Sequence, residues 1–467
     1  MRQNSTKAGG KPARGGGVAE AQGLRRIREN AAGIDIGSQT HYAAVPPGRA
    51  TPAVRRFGCL TPELHEMAQW LKACAITTVA MESTGVYWIP VAQVLEQYGL
   101  EIVLADATHI KNVPGRKTDV SDSQWIQQLH NYGLLRGAFR PQRALQVLRT
   151  YWRHREGLVQ GGAQQIHLMH KALEQMNLQL HKVLSDVSGL SGMRIIRAIL
   201  EGERDGETLA KLCDRKVRAS AQTVAKSLTG DYRDDHLFTL RQAVELYDIY
   251  QEKMAACDRE IQRQMAGFAP KADPRTLPPA RPGKKPGRRR KNQPHFDLRA
   301  EMYRMTGVDL TQIDGISTLT AQTALCECGH DLSAFPSEKN FTSWLGLCPN
   351  NRITGGKVRR TRTRRVQNRL ADALRVAAQS LHHSKSALGA FYRRMKAHLG
   401  PAKAITATAR KLACQIYRLL KYGTDYVDQG EQRYEQQYRE RLLHGMRKRA
   451  QQLGYDLVAV HSGEVVS

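Results

Sequence analysis

The sequence lacks any apolar run long enough to cross a bilayer. Over its 467 residues no stretch approaches the roughly 20 consecutive apolar residues that a membrane-spanning helix needs. The N-terminal stretch MRQNSTKAGGKPARGGG also lacks the apolar segment of a secretory signal. We interpret residues 1–31 as a flexible basic tail, and we expect a cytoplasmic protein with no membrane partner.

Paired metal-binding cysteines are missing too. The eight cysteines are scattered, no CxxC pair occurs, and Cys326 with Cys328 has no second pair at zinc-finger spacing. We therefore interpret the cysteines as reduced core residues of a cytosolic protein.

Acidic residues are scarce relative to basic ones. The chain has 43 Asp and Glu against 71 Lys and Arg, which gives a formal net charge of +28. Such an excess predicts a polyanionic partner, although a basic protein without catalysis is an alternative at this point. The length predicts roughly two to four domains.

Residues 32–140 have the pattern of an α/β domain. Short apolar runs predict strands at GIDIG, HYAAV, AVRRF, TTVAME and EIVLA, and amphipathic runs predict helices at TPELHEMAQWLKAC and VYWIPVAQVLEQYG. Three strands come first, followed by helix, strand, helix, strand and helix. This order predicts a mixed sheet flanked by helices.

The rest of the chain predicts mainly helix. Residues 141–268 predict a long helical hairpin or coiled coil, interrupted at Gln251 and Asp258, with an ordinary bundle helix as the alternative. The heptad-like apolar positions are Leu240, Val244, Tyr247, Met254, Ile261 and Met265. Residues 269–298, rich in proline and cations, predict a solvated linker. Residues 299–467 predict a mostly helical C-terminal domain.

Four carboxylates stand out in the N-terminal region. Asp35 interrupts the strand pattern GIDIG, Glu82 ends the strand TTVAME, and Asp119 and Asp122 lie three residues apart in KTDVSD. On a helix that spacing places both carboxylates on one face, where like charges gain nothing unless a cation bridges them. Two strands and a helix would bring hard oxygen donors to one edge of the sheet, which suits Mg²⁺ or Mn²⁺. We therefore predict a two-metal site for phosphoryl transfer on nucleic acid.

Each carboxylate also has a purely structural interpretation. Asp35 alone could be a buried acid that is hydrogen-bonded to the turn after Gly37. Asp119 and Asp122 alone could be acids that favour the N-terminal dipole of a helix. Only the set of four makes the metal site the better interpretation.

The C-terminal region combines glycine turns with a run of cations. LTQIDGISTLTAQTALCECG has the rhythm of a helix-hairpin-helix, with Gly315 in a tight turn that presents backbone N–H groups to a phosphate. A plain helix–helix turn is the alternative. In ITGGKVRRTRTRR, Gly355 and Gly356 allow the backbone to approach a ligand and to form an anion-holding nest. The cations that follow suit a DNA or RNA backbone, with an unstructured basic run as the alternative: Lys357, Arg359, Arg360, Arg362, Arg364 and Arg365.

Together these motifs resemble a known family. GIDIG with Asp35, MESTGVYW with Glu82, and KTDVSD with Asp119 and Asp122 are similar to the DEDD domain of bridge-RNA-guided transposases of the insertion-sequence 110 family. The later segments resemble the 1111-type branch of that family, and the resemblance covers about residues 32–425. It implies an α/β plus all-α protein. The N-terminal mixed sheet would be RNase H-like (RuvC-like), the middle helical or coiled-coil, and the C-terminal transposase domain mostly helical.

The resemblance further implies an RNA-guided DNA recombinase. In the family a serine precedes the two glycines and attacks the DNA phosphodiester; here that position is Thr354, whose β-methyl crowds the approach. Ser343 in FTSW is a weaker substitute. The implied partners are donor and target double-stranded DNA, a non-coding guide RNA, and further copies of the chain that form a dimer and then a tetramer. The implied location is the nucleoid of a prokaryote.

Two alternatives remain open from the residues. One is a structure-specific endonuclease that uses a metal-activated water instead of Thr354. The other is a catalytically inactive nucleic-acid-binding protein, whose binding would depend steeply on salt but not on the carboxylates.

Overall fold

The computed structural model describes residues 25–82, 85–105, 119–135, 137–281, 292–364, 366–423 and 428–458. The chain forms two units, one on each side of the link between Arg140 and Pro141. The division into five segments stays a prediction, and most of the predicted tail lies outside the described residues.

The first unit contains a five-stranded mixed sheet. Its strands are β1 (Ala31–Ile36), β2 (Thr40–Ala44), β3 (Val54–Gly58), β4 (Thr78–Glu82) and β5 (Glu101–Ala105). The strand order is β3-β2-β1-β4-β5, with β1 antiparallel to β2 and parallel to β4. The mixed sheet predicted from the sequence is confirmed, and its topology is that of an RNase H-like fold.

Helices cover both faces of this sheet. They are α1 (Thr61–Ala73), α2 (Trp88–Gln97) and α3 (Asp119–Asn131). On one face, α1 and α2 pack with Ile34, Val79 and Met81 into an apolar core. On the other face, α3 contacts β1, β2 and β4. Because α3 is the helix that begins at the KTDVSD motif, the carboxylates belong to the face opposite the apolar core.

The second unit begins with six helices, of which the first and the last are long and pack side by side. Its first elements are α4 (Arg143–Gln175), α5 (Leu180–Val183), α6 (Leu190–Leu200), α7 (Gly206–Lys211), α8 (Ala221–Ser227) and α9 (Asp234–Ala266). Arg155 of α4 bonds Asp258 of α9, and Gly161 meets Tyr250, so the two long helices run antiparallel. The predicted helical character of residues 141–268 is confirmed, and four short helices lie between the two long ones.

The remainder of this unit is mostly helical, as predicted, with one hairpin. Its elements are α10 (Leu298–Thr306), α11 (Thr318–Cys328), α12 (Glu338–Trp344), β6 (Pro349–Thr354), β7 (Lys357–Thr363), α13 (Arg369–Ser380), α14 (Ala387–Leu399), α15 (Pro401–Tyr422) and α16 (Gly430–Gln452), with short 3₁₀ turns at Pro274–Thr276, Leu310–Gln312 and Leu381–His383. Side-chain caps begin several of these helices: Ser317, Ser337, Asn368 and Ser386 each accept a hydrogen bond from the backbone N–H three residues later.

The described part of the predicted linker is more ordered than a solvated segment. Arg299 donates a hydrogen bond to the Pro278 carbonyl at 2.7 Å, and Gln312 donates one to Pro279 at 2.9 Å. Arg281 forms an ion pair with Asp314. The segment up to Arg281 is therefore attached to the helices that follow it, and the run of cations at 282–291 lies outside the described residues.

All eight cysteines are unpaired thiols. Cys74, Cys257, Cys326 and Cys328 are buried, as expected for core residues, but Cys59 is exposed and its placement in the core was wrong. Within the described ranges no helix is long and apolar enough to cross a membrane.

Candidate active site

Asp35 and Glu82 lie side by side at one edge of the sheet. In the parallel pair β1–β4, Ile34 is opposite Met81, and the next positions along the two strands are Asp35 and Glu82. Neighbouring strands are about 4.8 Å apart, and residues in register point to the same face. The sheet therefore places both carboxylates together at the carboxyl ends of two adjacent parallel strands.

Alternation along the strands shows that this face is the one covered by α3. Thr78, four residues before Glu82 in β4, bonds through its hydroxyl to Nε2 of His130 in α3 at 2.9 Å. Gly33, two residues before Asp35, faces the backbone of Gln127 in the same helix. Because side chains alternate with a period of two, Asp35 and Glu82 share the α3 face.

The helix runs antiparallel to β1 and β4, so its first turn lies over their carboxyl ends. Its last turn meets Thr78, near the start of β4, while Ser123 and Gln127 lie over Gly33. The first turn of α3 is therefore directed toward Asp35 and Glu82. Asp122 belongs to this turn and is partly buried, and Asp119 begins the helix, although its side chain lies outside the described residues.

The close approach of α3 depends on Gly33. A Cβ atom added to Gly33 would lie 2.2 Å from the Gln127 nitrogen and 2.5 Å from the Ser123 carbonyl oxygen. Both atoms belong to the backbone, so neither can turn aside. The glycine thus sets the height of α3 over the sheet, and the sequence pattern Gly-x-Asp in β1 was the signal that could have identified it.

At the other end of α3, His130 attaches the helix to β4 through a neutral imidazole. Burial, reinforced by the nearby charge of Arg28, lowers the pKa of His130 to about 4. At neutral pH the imidazole is therefore neutral and bonds the Thr78 hydroxyl. A lone histidine in a helix has no distinctive sequence pattern, so this contact could not be predicted from the sequence.

The carboxylate oxygens at this edge are donors of the type that binds a divalent cation. Carboxylates from β1, β4 and α3 are hard oxygen donors, which Mg²⁺ and Mn²⁺ prefer. Among the side chains that the structure describes, no three Asp, Glu, His or Cys residues stand in a metal-binding arrangement. The fold thus brings Asp35, Glu82 and the start of α3 to one edge, and the complete set of four stays a prediction.

Thr354 lies at the tip of an exposed β-hairpin in the second unit. Thr354 of β6 pairs with Lys357 of β7, which leaves Gly355 and Gly356 as a two-residue turn. Their φ angles of 55° and 71° are both in the left-handed region that such a turn requires. The conformation of the glycines is therefore explained by the hairpin, while their predicted role as an anion nest stays a prediction.

The predicted cations follow Thr354 along β7. Lys357, Arg359, Arg362 and Arg364 are exposed, and the register shift opposite Arg352 and Ile353 leaves Arg359 unopposed. Such a bulge twists the strand and spreads its side chains to both faces. Arg360 lies in β7 without a described side chain, and Arg365 lies outside the described residues. Ser343, the weaker candidate nucleophile, lies in helix α12 with an exposed side chain.

Gly315 lies in a tight turn with a φ of 86°, but the predicted helix before it is wrong. A single 3₁₀ turn, Leu310–Gln312, precedes it instead. A Cβ atom at Gly315 would lie 3.1 Å from Leu381, so the turn packs against the end of α13. Asp314 fixes the turn by accepting hydrogen bonds from Ser384 and Ser386. A phosphate contact at Gly315 stays a prediction.

Family models match both regions of the chain that carry candidate site residues. Residues 32–178 match a transposase model of the IS110 family that is defined by the DEDD motif. Residues 309–393 match the model described as transposase IS116/IS110/IS902 family. The chain carries two IS110-family transposase domains. It is therefore an enzyme that acts on DNA, and the DEDD domain indicates a divalent metal. A search of curated proteins found no match.

The two matches contain different sets of the predicted site residues. The first transposase domain includes all four carboxylates, and the second includes Gly315 and the whole β6–β7 hairpin. Helix α15, which begins at Pro401, follows the end of the second match. The surface of α15 is therefore a feature of this chain for which the family models supply no role.

Proposed function

We propose that this IS110-family transposase is an RNA-guided DNA recombinase with a hydroxyl nucleophile, Thr354. The observation that carries the proposal is the pairing of Asp35 with Glu82 beneath the first turn of α3. The exposed hydroxyl at the hairpin tip supports it, because a nucleophile must reach a DNA phosphate without first moving a covering element.

In the proposed reaction the Thr354 hydroxyl oxygen forms a bond to a DNA phosphorus. The P–O bond to the neighbouring nucleotide breaks, and the hydroxyl proton passes to a carboxylate or to water. The departing oxygen takes up a proton, and a DNA hydroxyl later reverses the sequence to release Thr354. A divalent ion, Mg²⁺ or Mn²⁺ in our proposal, would neutralise charge on the phosphate when held by Asp35, Glu82, Asp119 and Asp122.

We propose that donor and target duplex DNA and a non-coding guide RNA are the partners, at the nucleoid of a prokaryotic cell. The formal net charge of +28 supports polyanionic partners in general, and the family resemblance supports RNA in particular. Exposed cations of β7 would bind backbone phosphates near Thr354, and Gly315 would offer a second backbone contact.

A trapping assay tests the chemistry. Purified protein, the element's own non-coding RNA and labelled junction DNA are incubated with Mg²⁺, and denaturant-resistant protein–DNA adducts are counted. We expect Thr354→Ala and Asp35→Asn to lower adduct formation on the order of 100-fold or more, and Thr354→Ser to retain it. Ser343→Ala is the matched hydroxyl control. Glu101→Gln is the carboxylate control, because Glu101 begins β5 opposite Thr78, at the other end of the sheet.

Three outcomes would contradict the proposal. Cleavage without an adduct that survives Thr354→Ala would identify a nuclease that uses water. Binding without cleavage in wild type, unchanged by Asp35→Asn, would identify an inactive binding protein. An adduct formed equally well without the RNA would remove the guide from the mechanism.

From the family resemblance we also propose an assembly in which the carboxylates of one copy meet Thr354 of another, and a mixing experiment tests it. Asp35→Asn protein and Thr354→Ala protein are each expected to be inactive alone. Mixed before DNA is added, they would restore one intact site in each mixed dimer. Failure of the mixture to form adducts, while mixed wild-type copies do, would place both groups in the same chain.

A further inference from the structure

An open groove lies between the base of the β6–β7 hairpin and helix α15. Its volume is about 1430 Å³, and its hairpin side is formed by Pro349, Asn350, Thr361, Arg362 and Thr363. We call it the α15 groove. It lies at the end of the hairpin opposite Thr354, so it is a separate surface from the candidate nucleophile.

The groove has an apolar floor and a cationic rim. Its apolar lining consists of Leu347, Pro349, Phe391, Leu399, Ala402 and Ala407. Its cations are Arg362, Lys403, Arg410, Lys411 and Arg418, and Glu338 is the one acidic residue among its described lining. Arg418 bonds Glu338 at 2.8 and 3.2 Å, so this acid is already neutralised. The remaining cations give the groove a net positive charge.

No carboxylate among the residues that the structure describes forms an ion pair with these remaining cations. Within the described ranges, none of Arg362, Lys403, Arg410 and Lys411 forms an ion pair, whereas Arg418 does. The Nε atom of Arg410 is buried and has no hydrogen-bond partner in the same ranges. An anion bound in the groove would supply the negative charge that these cations lack.

Helix α15 carries three of the groove's cations in a single row, with Lys411 next to Arg410 and Arg362 on the hairpin side. Lys403, Arg410, Cys414 and Arg418 recur at spacings of seven and four residues, which places them on one face of α15. The opposite face, with Leu412 and Ile416, is buried in the unit. The row is therefore fixed in place by the core and does not depend on a flexible loop.

We infer that the α15 groove binds a single-stranded segment of nucleic acid. Phosphates would contact Lys403, Arg410 and Lys411, and bases would lie against the apolar floor around Phe391, over whose ring Lys411 already lies at 5.3 Å. A duplex exposes phosphates and sugars on its outside and would leave the apolar floor without a partner. The combination of floor and rim thus favours a single strand.

The groove would deliver this strand toward Thr354. Asn350 at the groove and Thr354 at the tip are four residues apart in β6, which is about 13 Å along an extended strand. This last step rests on the proposed function, whereas binding in the groove does not.

Binding measurements test the inference without any cleavage. Fluorescence anisotropy of the full chain, carrying Thr354→Ala and without divalent metal, is measured with 12-residue oligo(dT), oligo(U) and a duplex of the same length. We expect Lys403→Ala with Arg410→Ala to weaken single-strand binding about 10-fold at 0.1 M salt. The salt slope should fall by about 1.4, because each lost phosphate contact removes about 0.7. Phe391→Leu should weaken binding without changing that slope.

The matched control removes the same two charge types elsewhere. Arg215 and Lys216 are exposed and lie outside the groove, so Arg215→Ala with Lys216→Ala should change affinity by less than about twofold. Equal losses in both double variants, a larger loss for the duplex, or displacement of oligo(dT) by an acidic peptide would each overturn the inference. The ratio of losses for oligo(dT) and oligo(U) identifies DNA or RNA as the source. Adducts that vanish in Thr354→Ala while groove binding persists would separate this inference from the proposed chemistry.

Discussion

Gly33 of β1 and Gln127 of α3 approach each other so closely that no side chain larger than a hydrogen atom fits at position 33. A Cβ atom at Gly33 would lie 2.2 Å from the backbone nitrogen of Gln127. This contact sets the position of α3, and with it the position of Asp122 relative to Asp35 and Glu82. The relative position of the carboxylates therefore depends on Gly33, which has no side-chain functional group.

We predict that Gly33→Ala lowers activity more than stability. The added methyl would push α3 away from β1, at a cost of about 1–3 kcal/mol in the free energy of unfolding, and the carboxylates of α3 would move with it. Thermal unfolding and adduct formation measure the two effects. Gly137→Ala in the same unit is the control, because its Cβ would meet Val103 at an ordinary 3.5 Å. A fully active Gly33→Ala protein would show that the height of α3 is unimportant.

His130 predicts an acid-sensitive contact between α3 and β4. The folded-state pKa of about 4 lies below the ordinary histidine value of 6.5, so the unfolded chain binds the proton more readily than the folded one. The stability that depends on neutral His130 is complete above about pH 6.5 and is lost as the pH falls toward 4, by up to about 3 kcal/mol. Unfolding by urea at several pH values measures it.

His130→Gln is the control for this pH dependence. Glutamine can still bond the Thr78 hydroxyl but does not titrate, so the difference between wild type and variant isolates His130 from the other acid-sensitive groups. These include His41, whose pKa burial also lowers. Parallel stability curves for the two proteins between pH 4 and 6.5 would show that His130 is not the titrating group.

The pair Arg155–Asp258 predicts a large loss of stability when one partner is removed. Their side chains are 4% and 1% exposed, and the backbone N–H of His295 also donates to Asp258 at 3.0 Å. Asp258→Ala would leave a buried guanidinium without its counter-ion, which costs about 3–5 kcal/mol. The free energy of unfolding measures it.

The same helix α9 provides a matched comparison on the surface, where it pairs with α6. Arg197 and Asp248 form an ion pair with side chains 51% and 47% exposed. Asp248→Ala should therefore cost less than about 1 kcal/mol. Similar losses in both variants would mean that burial does not determine the strength of the Arg155–Asp258 pair.

Asp258 also shows where the sequence was informative and where it was not. The apolar spacing of Leu240, Val244 and Ile261 correctly predicted one buried helix face, because that period is local to the helix. Asp258 looked like an interruption of the pattern, since its partner Arg155 is 103 residues away. Pairing across such a separation leaves no signal in a single sequence.

At the candidate sites too, local patterns could be predicted from the sequence, whereas contacts between distant residues could not. Strand β1 and its Asp35 followed from alternation, and the edge shared with Glu82 followed from the order of strands and helices. The contact of Gly33 with Gln127 and the α15 groove did not follow, because both depend on how distant elements pack. Asp314 illustrates the point, since its partners Ser384 and Ser386 lie 70 and 72 residues further along the chain.

The hairpin turn yields a test of what Gly355 does. Gly355 and Gly356 both have left-handed backbone angles, and no atom lies within 4 Å of a Cβ added to either. The turn alone would therefore accept asparagine at Gly355, since Asn-Gly is favoured in this turn type, but alanine would cost about 1–2 kcal/mol. We predict that Gly355→Asn retains adduct formation and that Gly355→Ala reduces it, with both proteins folded as judged by circular dichroism.

If Gly355→Asn also lost adduct formation, the explanation from the turn conformation would be wrong. The predicted close contact between DNA and the glycine backbone would then be favoured. A bare glycine would then be needed because DNA approaches the backbone at that position, leaving no room for any side chain. Binding separates the two cases. A turn defect misplaces Thr354 and spares affinity for junction DNA, whereas a lost backbone contact lowers that affinity together with adduct formation.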